Sequence, residues 1–254
     1  MTPSRPFARA AVAGLAVAGS TVLPVLLPGT AQAATCKAPT VLAADSDVHA
    51  RALGTTDKQA VTFAVLVQDN GCATTSVRFR LSSPGSYGFT EAVKVGAGEQ
   101  KGQNYWAVQV TFTRHDVRND DAGTWRTSLT AKSAAGSQTA SGPSFTLKRA
   151  TRLGADAAPE PIRKGRTITV TGTLQRADWQ QGRFSGYAGQ KVALQWRSTA
   201  KGSTYKTLRT VTAGSGGVIR TTTKAGADGC YRFAYAGNGS TAPVSGSSDC
   251  VDVR

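Results

Sequence analysis

The stretch of sequence that decides the fold lies near the carboxyl terminus, between residues 228 and 253. It reads Asp228-Gly229-Cys230-Tyr231-Arg232-Phe233-Ala234-Tyr235, then Ala236-Gly237-Asn238-Gly239-Ser240, and it closes with Asp249-Cys250-Val251-Asp252-Val253. Aromatic residues occupy every second position of the first run, which is typical of a β-strand with one apolar face. The glycine- and asparagine-rich loop favours a turn. We therefore predict that this stretch forms the last hairpin of a small β-sandwich.

The same hairpin predicts a disulfide bond. Cys230 and Cys250 are equidistant from position 240, so a turn there places them opposite each other, with Cβ atoms about 4.5–5.5 Å apart. The chain has four cysteines, for which three pairings are open. We favour Cys36–Cys72 and Cys230–Cys250, because both pairs are local and the first is also symmetric about a glycine, Gly54. The absence of a Cys-x-x-Cys spacing disfavours a zinc finger.

The first 33 residues are predicted to be a secretory signal peptide. Arg5 and Arg9 precede a mostly apolar stretch over residues 10–27, and the small residues Ala31 and Ala33 mark the cleavage site. Interruptions in the apolar stretch disfavour a membrane anchor. We expect a protein that is secreted, extracellular or cell-wall associated, with no transmembrane segment in its mature form.

Period-two patterns dominate the remaining chain, and no long helical pattern appears. Such short strands, separated by turn clusters, are typical of all-β sandwiches. The predicted fold is all-β, with two immunoglobulin-like sandwiches in tandem, each with its own core. The predicted boundaries are 34–148 for the first module, 149–164 for a linker stiffened by Pro159 and Pro161, and 165–254 for the second module.

A local motif supports the two-module interpretation. Residues 121–125 read Asp-Ala-Gly-Thr-Trp, and Asp-x-Gly-x-aromatic is the pattern that leads into strand F of immunoglobulin-like sandwiches. Trp125 takes the place that tyrosine usually holds. Residues 228–231, Asp-Gly-Cys-Tyr, form a shorter version of this corner in the second half of the chain.

The positive charge is concentrated in the second module. Residues 36–148 carry a net charge of +3, whereas residues 149–254 carry +10. Outside the cell, such a charge favours anionic surfaces, namely wall polymers and polysaccharides, lipid headgroups or extracellular DNA. Solubility alone is the alternative explanation, because the basic residues form no dense run. No feature indicates specific binding of nucleic acid.

Signals for catalysis are poor. His49 and His115 are the two histidines of the chain, and no nucleophile elbow, metalloprotease motif or P-loop occurs. We predict that the protein is not an enzyme and needs no cofactor, apart from one calcium hypothesis. Asp116, Asp120 and Asp121 crowd a single turn, and calcium prefers several carboxylate oxygens. The alternative is that Asp121 caps the turn and the other two are solvated.

One loop is unusually rich in aromatic residues. Trp179, Phe184 and Tyr187 lie among polar residues and Arg183. If these side chains are exposed, they can stack on sugar rings or contact a partner. The alternative is that Trp179 and Tyr187 fold down over the end of the sandwich.

A family resemblance adds to this interpretation. Residues 124–125, 158–172, 187–192 and 250–253 resemble secreted actinobacterial proteins with tandem immunoglobulin-like modules, some of which are labelled calcium-binding protein. The resemblance implies a non-catalytic extracellular β-sandwich protein, and it supplies no ligand or site residue. We interpret the chain as a binding or structural protein of the extracellular or wall-associated layer whose second module contacts anionic polymers. A carbohydrate-binding module and a calcium-binding protein are the alternatives.

Overall fold

The structure is a computed structural model that describes residues 36–254. The predicted signal peptide, residues 1–33, lies outside the described residues. Within residues 36–254, helical structure is confined to two three-residue 3-10 turns, Asn119–Asp121 and Ser215–Gly217. None of the helical segments in that range has the length or apolar character needed to cross a bilayer. The fold is all-β, as the sequence predicts.

The first module is a sandwich of two sheets that share one strand. Its strands are β1 (Thr40–Ser46), β2 (Ala50–Leu53), β3 (Gln59–Gln68), β4 (Ser76–Ser82), β5 (Tyr87–Ala97), β6 (Gln103–Phe112), β7 (Gly123–Ser133), β8 (Gly136–Ser141) and β9 (Phe145–Arg149). The strand order is β1-β3-β6-β5-β4-β7-β9-β2, with β8 also on β7. Up to Ala92, β5 pairs with β4, and from Val93 it pairs with β6, so it passes from one sheet to the other. The resulting groups, β1-β3-β6-β5 and β5-β4-β7-β9, follow immunoglobulin-like order.

Aromatic side chains fill the core of the first module. Strand β3 buries Val61, Phe63, Val65 and Val67 at every second position, as the period-two pattern predicts. Five rings then pack across the sandwich with centroids 5.2 to 5.8 Å apart. They belong to Phe63, Phe79, Phe112, Trp125 and Phe145. Tilted and edge-on ring pairs of this kind add about 0.5–1.5 kcal/mol each beyond the area they bury.

The corner before β7 uses tryptophan in the role of tyrosine. The Trp125 indole Nε1 donates a hydrogen bond of 2.9 Å to the carbonyl oxygen of Asp121, four residues upstream. Gly123 adopts φ 139°, which an L side chain rarely does, so glycine is needed between them. Tyrosine usually makes a side-chain-to-backbone hydrogen bond at such a corner, and here the indole nitrogen of Trp125 supplies that bond.

The second module is a separate sandwich. One sheet contains β10 (Thr151–Leu153), β11 (Asp156–Ala158), β12 (Thr167–Asp178), β13 (Arg183–Gly186) and β16 (Val218–Lys224). The other contains β14 (Lys191–Ser198), β15 (Lys206–Thr212), β17 (Gly229–Tyr235), β18 (Val244–Ser245) and β19 (Asp249–Val251). Its core is mainly aliphatic, with Ile168, Val170 and Leu194 fully buried around Phe233.

The structure corrects the predicted linker. Residues 151–153 and 156–158 form β10 and β11, which pair antiparallel with β12. Ile162 then forms a parallel bridge to Val253. Proline is compatible with the end of an edge strand, so Pro159 and Pro161 end the edge of the second sandwich rather than separating two modules. Strand β9 ends at Arg149, and the second module begins immediately after it.

Both predicted disulfide bonds are present. Cys230 and Cys250 are register partners on β17 and β19, and they are bonded. Cys36 and Cys72 are bonded with Cα atoms 5.2 Å apart. The first of these bonds lies between neighbouring strands, whereas the second ties the segment before β1 to the loop before β4.

Candidate functional site

The aromatic loop proposed as a sugar contact is the link between the modules. Trp179 is only 1% exposed and belongs to the core of the first module. Its indole Nε1 donates a 2.9 Å hydrogen bond to the carbonyl oxygen of Leu53, and its backbone N–H donates one of 3.0 Å to Asn119 Oδ1. The Leu53 carbonyl also accepts the N–H of Ala150. A ring enclosed in this way offers no face to a sugar.

The other members of that proposed site are separated from one another. Phe184 packs against the first core, and the guanidinium of Arg152 lies 3.8 Å from its ring centroid. Tyr187 packs against the second core and meets Arg176 at 4.0 Å. Arg183 is exposed and donates from Nε to Gln181 at 2.8 Å. These residues form no shared platform, which corrects the carbohydrate hypothesis in its original form.

Two polar residues reinforce the junction between the modules. The Asp178 carboxylate accepts a 3.0 Å hydrogen bond from Asn119 and another from the Gln181 N–H. Burial acts to raise the pKa of Asp178, but these hydrogen bonds and the charge of Arg149 outweigh it and hold that pKa below its usual value. Arg149 is itself buried and donates to the Ala177 carbonyl. Burial, aided by nearby Arg176, lowers the pKa of Arg149 to about 10, so it stays charged at neutral pH.

Two of the three aspartates proposed for calcium accept local hydrogen bonds. Asp121 is buried and accepts from the Ser83 and Ser86 hydroxyls at 2.6 Å and from the Arg118 N–H at 2.7 Å. Asp116 accepts from the N–H and hydroxyl of Thr113. Over residues 36–254, no three acidic, histidine or cysteine side chains gather as a metal-binding group. Asp116 and Asp121 therefore act as caps and Asp120 is exposed, so the three carboxylates do not converge as the metal hypothesis requires.

Two neighbouring strands of the second module carry positive charge without any acid. Residues 191–212, which hold β14, β15 and the turn between them, contain five lysines and arginines, a net charge of +5. Asp228 precedes β17 of the same sheet, and Asp249 lies on β19. Asp228 accepts a 2.7 Å hydrogen bond from the Val253 N–H. Asp249, on the adjacent strand, accepts one of 2.8 Å from Ala157 on the opposite sheet. Both acids are thus held by backbone donors, while basic side chains dominate the sheet.

Three side chains form the centre of this basic surface, and we call them the guanidinium–tyrosine cluster: Arg197, Tyr205 and Arg232. Because Leu194, Tyr231 and Phe233 face the core, the neighbouring Arg197 and Arg232 lie on the outer face of the sheet. The guanidinium carbon of Arg232 is 3.7 Å from the Tyr205 ring centroid, and that of Arg197 is 5.2 Å from it. Both distances are within the cation–π range.

Further contacts fix the orientation of the cluster. Arg232 Nε donates a 2.9 Å hydrogen bond to Gln195 Oε1 from the register partner on β14. Burial acts to raise the pKa of Tyr205, but the nearby Ser248 hydroxyl and the Arg197 and Arg232 charges outweigh it and lower that pKa. Stabilisation of the phenolate form indicates a locally positive field. The arrangement therefore suits an oxyanion better than a cation.

The sequence did not identify this cluster. The excess charge of the second module was visible, but Arg197, Tyr205 and Arg232 lie on β14, the turn before β15, and β17. The one available signal was the alternation of Arg232 between the inward-facing Tyr231 and Phe233, which places that arginine on the outer face.

Comparison with known proteins gives structural overlaps only. No protein-family model and no curated protein sequence matches the chain. The D0-D1 domain of intimin is 15% identical with a TM-score of 0.26, covering 83% of this chain and 98% of that one. The D00-D0 domain of intimin is 13% identical with a TM-score of 0.28, covering 82% and 98%. Dimeric latent PorU from Porphyromonas gingivalis is 12% identical with a TM-score of 0.30, and the match covers 89% of this chain but 21% of PorU. Overlaps at these TM-scores carry no argument about function.

Proposed function

We propose that the protein is a secreted, non-catalytic component of the extracellular or wall-associated layer, and that its second module binds polymers with repeated oxyanions. One observation supports this proposal above the others. Residues 191–212, on β14, β15 and the turn between them, carry a net charge of +5, and Arg197 and Arg232 are held against Tyr205 on the outer face of the same sheet. A surface of this kind attracts polyanions from a distance and has oriented donors at its centre.

The chemistry of the cluster favours oxyanions over sugar rings. A guanidinium group presents planar, forked donors that match carboxylate and phosphate oxygens. Stacking on Tyr205 covers part of the phenol ring and limits the motion of Arg232, so the ring serves as a support for the cation. Preorganisation of this kind lowers the entropy cost of binding. The site therefore recognises the charged groups of a polymer rather than the faces of its rings.

The disulfide bonds support the extracellular part of the proposal. Cys36–Cys72 and Cys230–Cys250 account for every cysteine of the chain. Disulfides persist mainly in oxidising environments such as the cell exterior. The predicted signal peptide is consistent with the same compartment.

Binding of the mature chain to soluble polymers tests the proposal. Polygalacturonate supplies repeated carboxylates, polyphosphate supplies phosphates, and neutral dextran supplies sugar rings alone. We expect binding to one or both polyanions, no binding to dextran, and an affinity that falls as salt rises because counterions are released on binding. Retention on dextran, or a preference for duplex DNA over both polyanions, would contradict the proposal.

A matched pair of variants locates the site. Arg197→Gln with Arg232→Gln removes two charges from the cluster, and Arg220→Gln with Lys224→Gln removes two exposed charges from β16 on the opposite sheet. The first variant should weaken polyanion binding about tenfold, which corresponds to about 1.4 kcal/mol. The control should change it far less. Equal losses in the two variants would show that net charge alone, rather than the cluster, drives binding.

A further inference from the structure

The first module carries a second arrangement of arginines around an aromatic ring. Arg78 and Arg80 are exposed on β4, and their guanidinium carbons lie 4.7 and 5.9 Å from the ring centroid of Phe89 on β5. The Phe89 side chain is 45% exposed. We call these three residues the guanidinium–phenylalanine cluster. A phenylalanine this exposed contributes little to the core. Its contacts with Arg78 and Arg80 therefore indicate a role at the surface.

The two clusters occupy corresponding places in their sandwiches. Strand β4 pairs with β5 on one side and β7 on the other, and β14 pairs likewise with β15 and β17. In both modules, the middle one of these three strands, β4 or β14, has an arginine on its outer face. The aromatic ring follows that strand in sequence: Phe89 lies on β5, and Tyr205 lies in the turn before β15. The second arginine differs in origin, since it lies on β4 in the first module and on β17 in the second.

The surroundings of the guanidinium–phenylalanine cluster are also basic and rich in hydroxyls. Arg126 and Lys132 are exposed on β7, opposite Ser82 and Ser76 of β4. Glu91, opposite Arg78 on β5, is the acid on this part of the sheet. Four cations thus share the face with one carboxylate, a smaller excess than in the second module. Any anion bound here should be held less tightly than at the guanidinium–tyrosine cluster.

We propose that the guanidinium–phenylalanine cluster is a second oxyanion-binding site, so that one chain has two sites for carboxylate or phosphate groups of a polymer. This inference rests on the proposed function of the second module, because it assigns the same ligand chemistry to both. The phenylalanine ring supports Arg78 as the tyrosine supports Arg232, and the guanidinium forks are the recognising groups. Two sites on one chain raise the affinity for a long polymer if one strand of it reaches both.

Calorimetry of the full mature chain with short oligomers tests the number of sites. Tetragalacturonate and tetraphosphate are probes that distinguish carboxylate from phosphate preference. We expect two oligomers per wild-type chain, and one per chain after either Arg78→Gln with Arg80→Gln or Arg197→Gln with Arg232→Gln. Combining all four substitutions should abolish binding.

A conservative variant separates guanidinium geometry from charge. Arg78→Lys with Arg80→Lys keeps both charges but loses the planar fork, and we expect the weaker of the two sites to lose about tenfold in affinity. The opposite-face variant Arg220→Gln with Lys224→Gln should retain both sites. Melting temperatures within a few degrees of wild type would show that these exposed substitutions leave the fold intact.

The outcomes distinguish this inference from the function on which it rests. If the wild-type chain binds neither oligomer nor polymer, both proposals fail. If it binds one oligomer, loses it with Arg197→Gln and Arg232→Gln, and is unaffected by Arg78→Gln with Arg80→Gln, the function of the second module stands and the second site is wrong. If Arg78→Lys with Arg80→Lys leaves the affinity of the weaker site unchanged, the inference that guanidinium groups recognise the anion there is wrong.

Discussion

The two modules build similar sandwiches with different means of stabilisation. The first packs five aromatic rings across its core and has a net charge of +3. The second packs a mainly aliphatic core, has a disulfide bond between neighbouring strands, and carries +10. The first also takes Trp179 from the second into its own core. The comparison shows that the modules have separate cores and distinct charges, as expected, but that Trp179 of the second module completes the core of the first.

The largest effect should come from the corner of the first module. Trp125→Ala removes a fully buried indole from the five packed rings of the first core. It also removes the hydrogen bond from the indole Nε1 to the carbonyl oxygen of Asp121. We expect a loss of about 5 kcal/mol in the free energy of unfolding, at the upper end for such truncations. Urea unfolding followed by circular dichroism measures it. A loss below about 1 kcal/mol would show that the rings do not dominate the first module.

The two disulfide bonds should rank by the loops they close. Cys36–Cys72 spans a separation of 36 residues and Cys230–Cys250 one of 20. In the chain-entropy model, replacing each pair by alanine costs about 4 and about 3 kcal/mol, respectively. Chemical unfolding of the two double-alanine variants under identical conditions tests the ranking. If the shorter loop proves the more costly, strand pairing at β17 and β19 contributes beyond loop entropy.

The coupling of the two modules depends on Trp179. Trp179→Ala opens a cavity in the first core and leaves the Leu53 carbonyl with the Ala150 N–H as its remaining donor. We expect a loss of about 3 kcal/mol in the free energy of unfolding, at the lower end for such truncations. We also expect that the wild-type chain unfolds in one calorimetric transition and that Trp179→Ala unfolds in two. A single unchanged transition would mean that the modules unfold together for another reason.

The smallest effect should appear in acid. Asp178 has a pKa held below its usual value in the folded chain, so its carboxylate stabilises the junction at pH values above the unfolded pKa of about 4. That contribution is lost as the pH falls through the folded pKa. Melting temperatures between pH 7 and pH 3 should fall more steeply for wild type than for Asp178→Asn. Parallel plots of melting temperature against pH for the two proteins would show that Asp178 does not contribute to the loss of stability in acid.

Local patterns predicted much of the fold, because strand alternation and turn formation depend on residues that are close in sequence. The burial of Phe63 and Phe233 and the pairing of Cys230 with Cys250 followed from spacing alone. The location of Trp179 did not, since an aromatic residue in a polar loop looks the same whether it meets solvent or another module. The same holds for Arg197 and Arg232, whose approach to Tyr205 depends on how three separate segments are aligned.

The disulfide bonds also determine how the chain responds to a pulling force. Each bond excludes the residues between its cysteines from extension, with separations of 36 and 20 residues. At about 3.4 Å per extended residue, a chain stretched from its ends under oxidising conditions reaches about 190 Å less than the reduced chain. Tension applied at the carboxyl terminus bypasses most of β17 and the closing hairpin, because it passes through sulfur from Cys250 to Cys230. If the chain binds extracellular polymers as proposed, the two bonds limit how far it stretches under load.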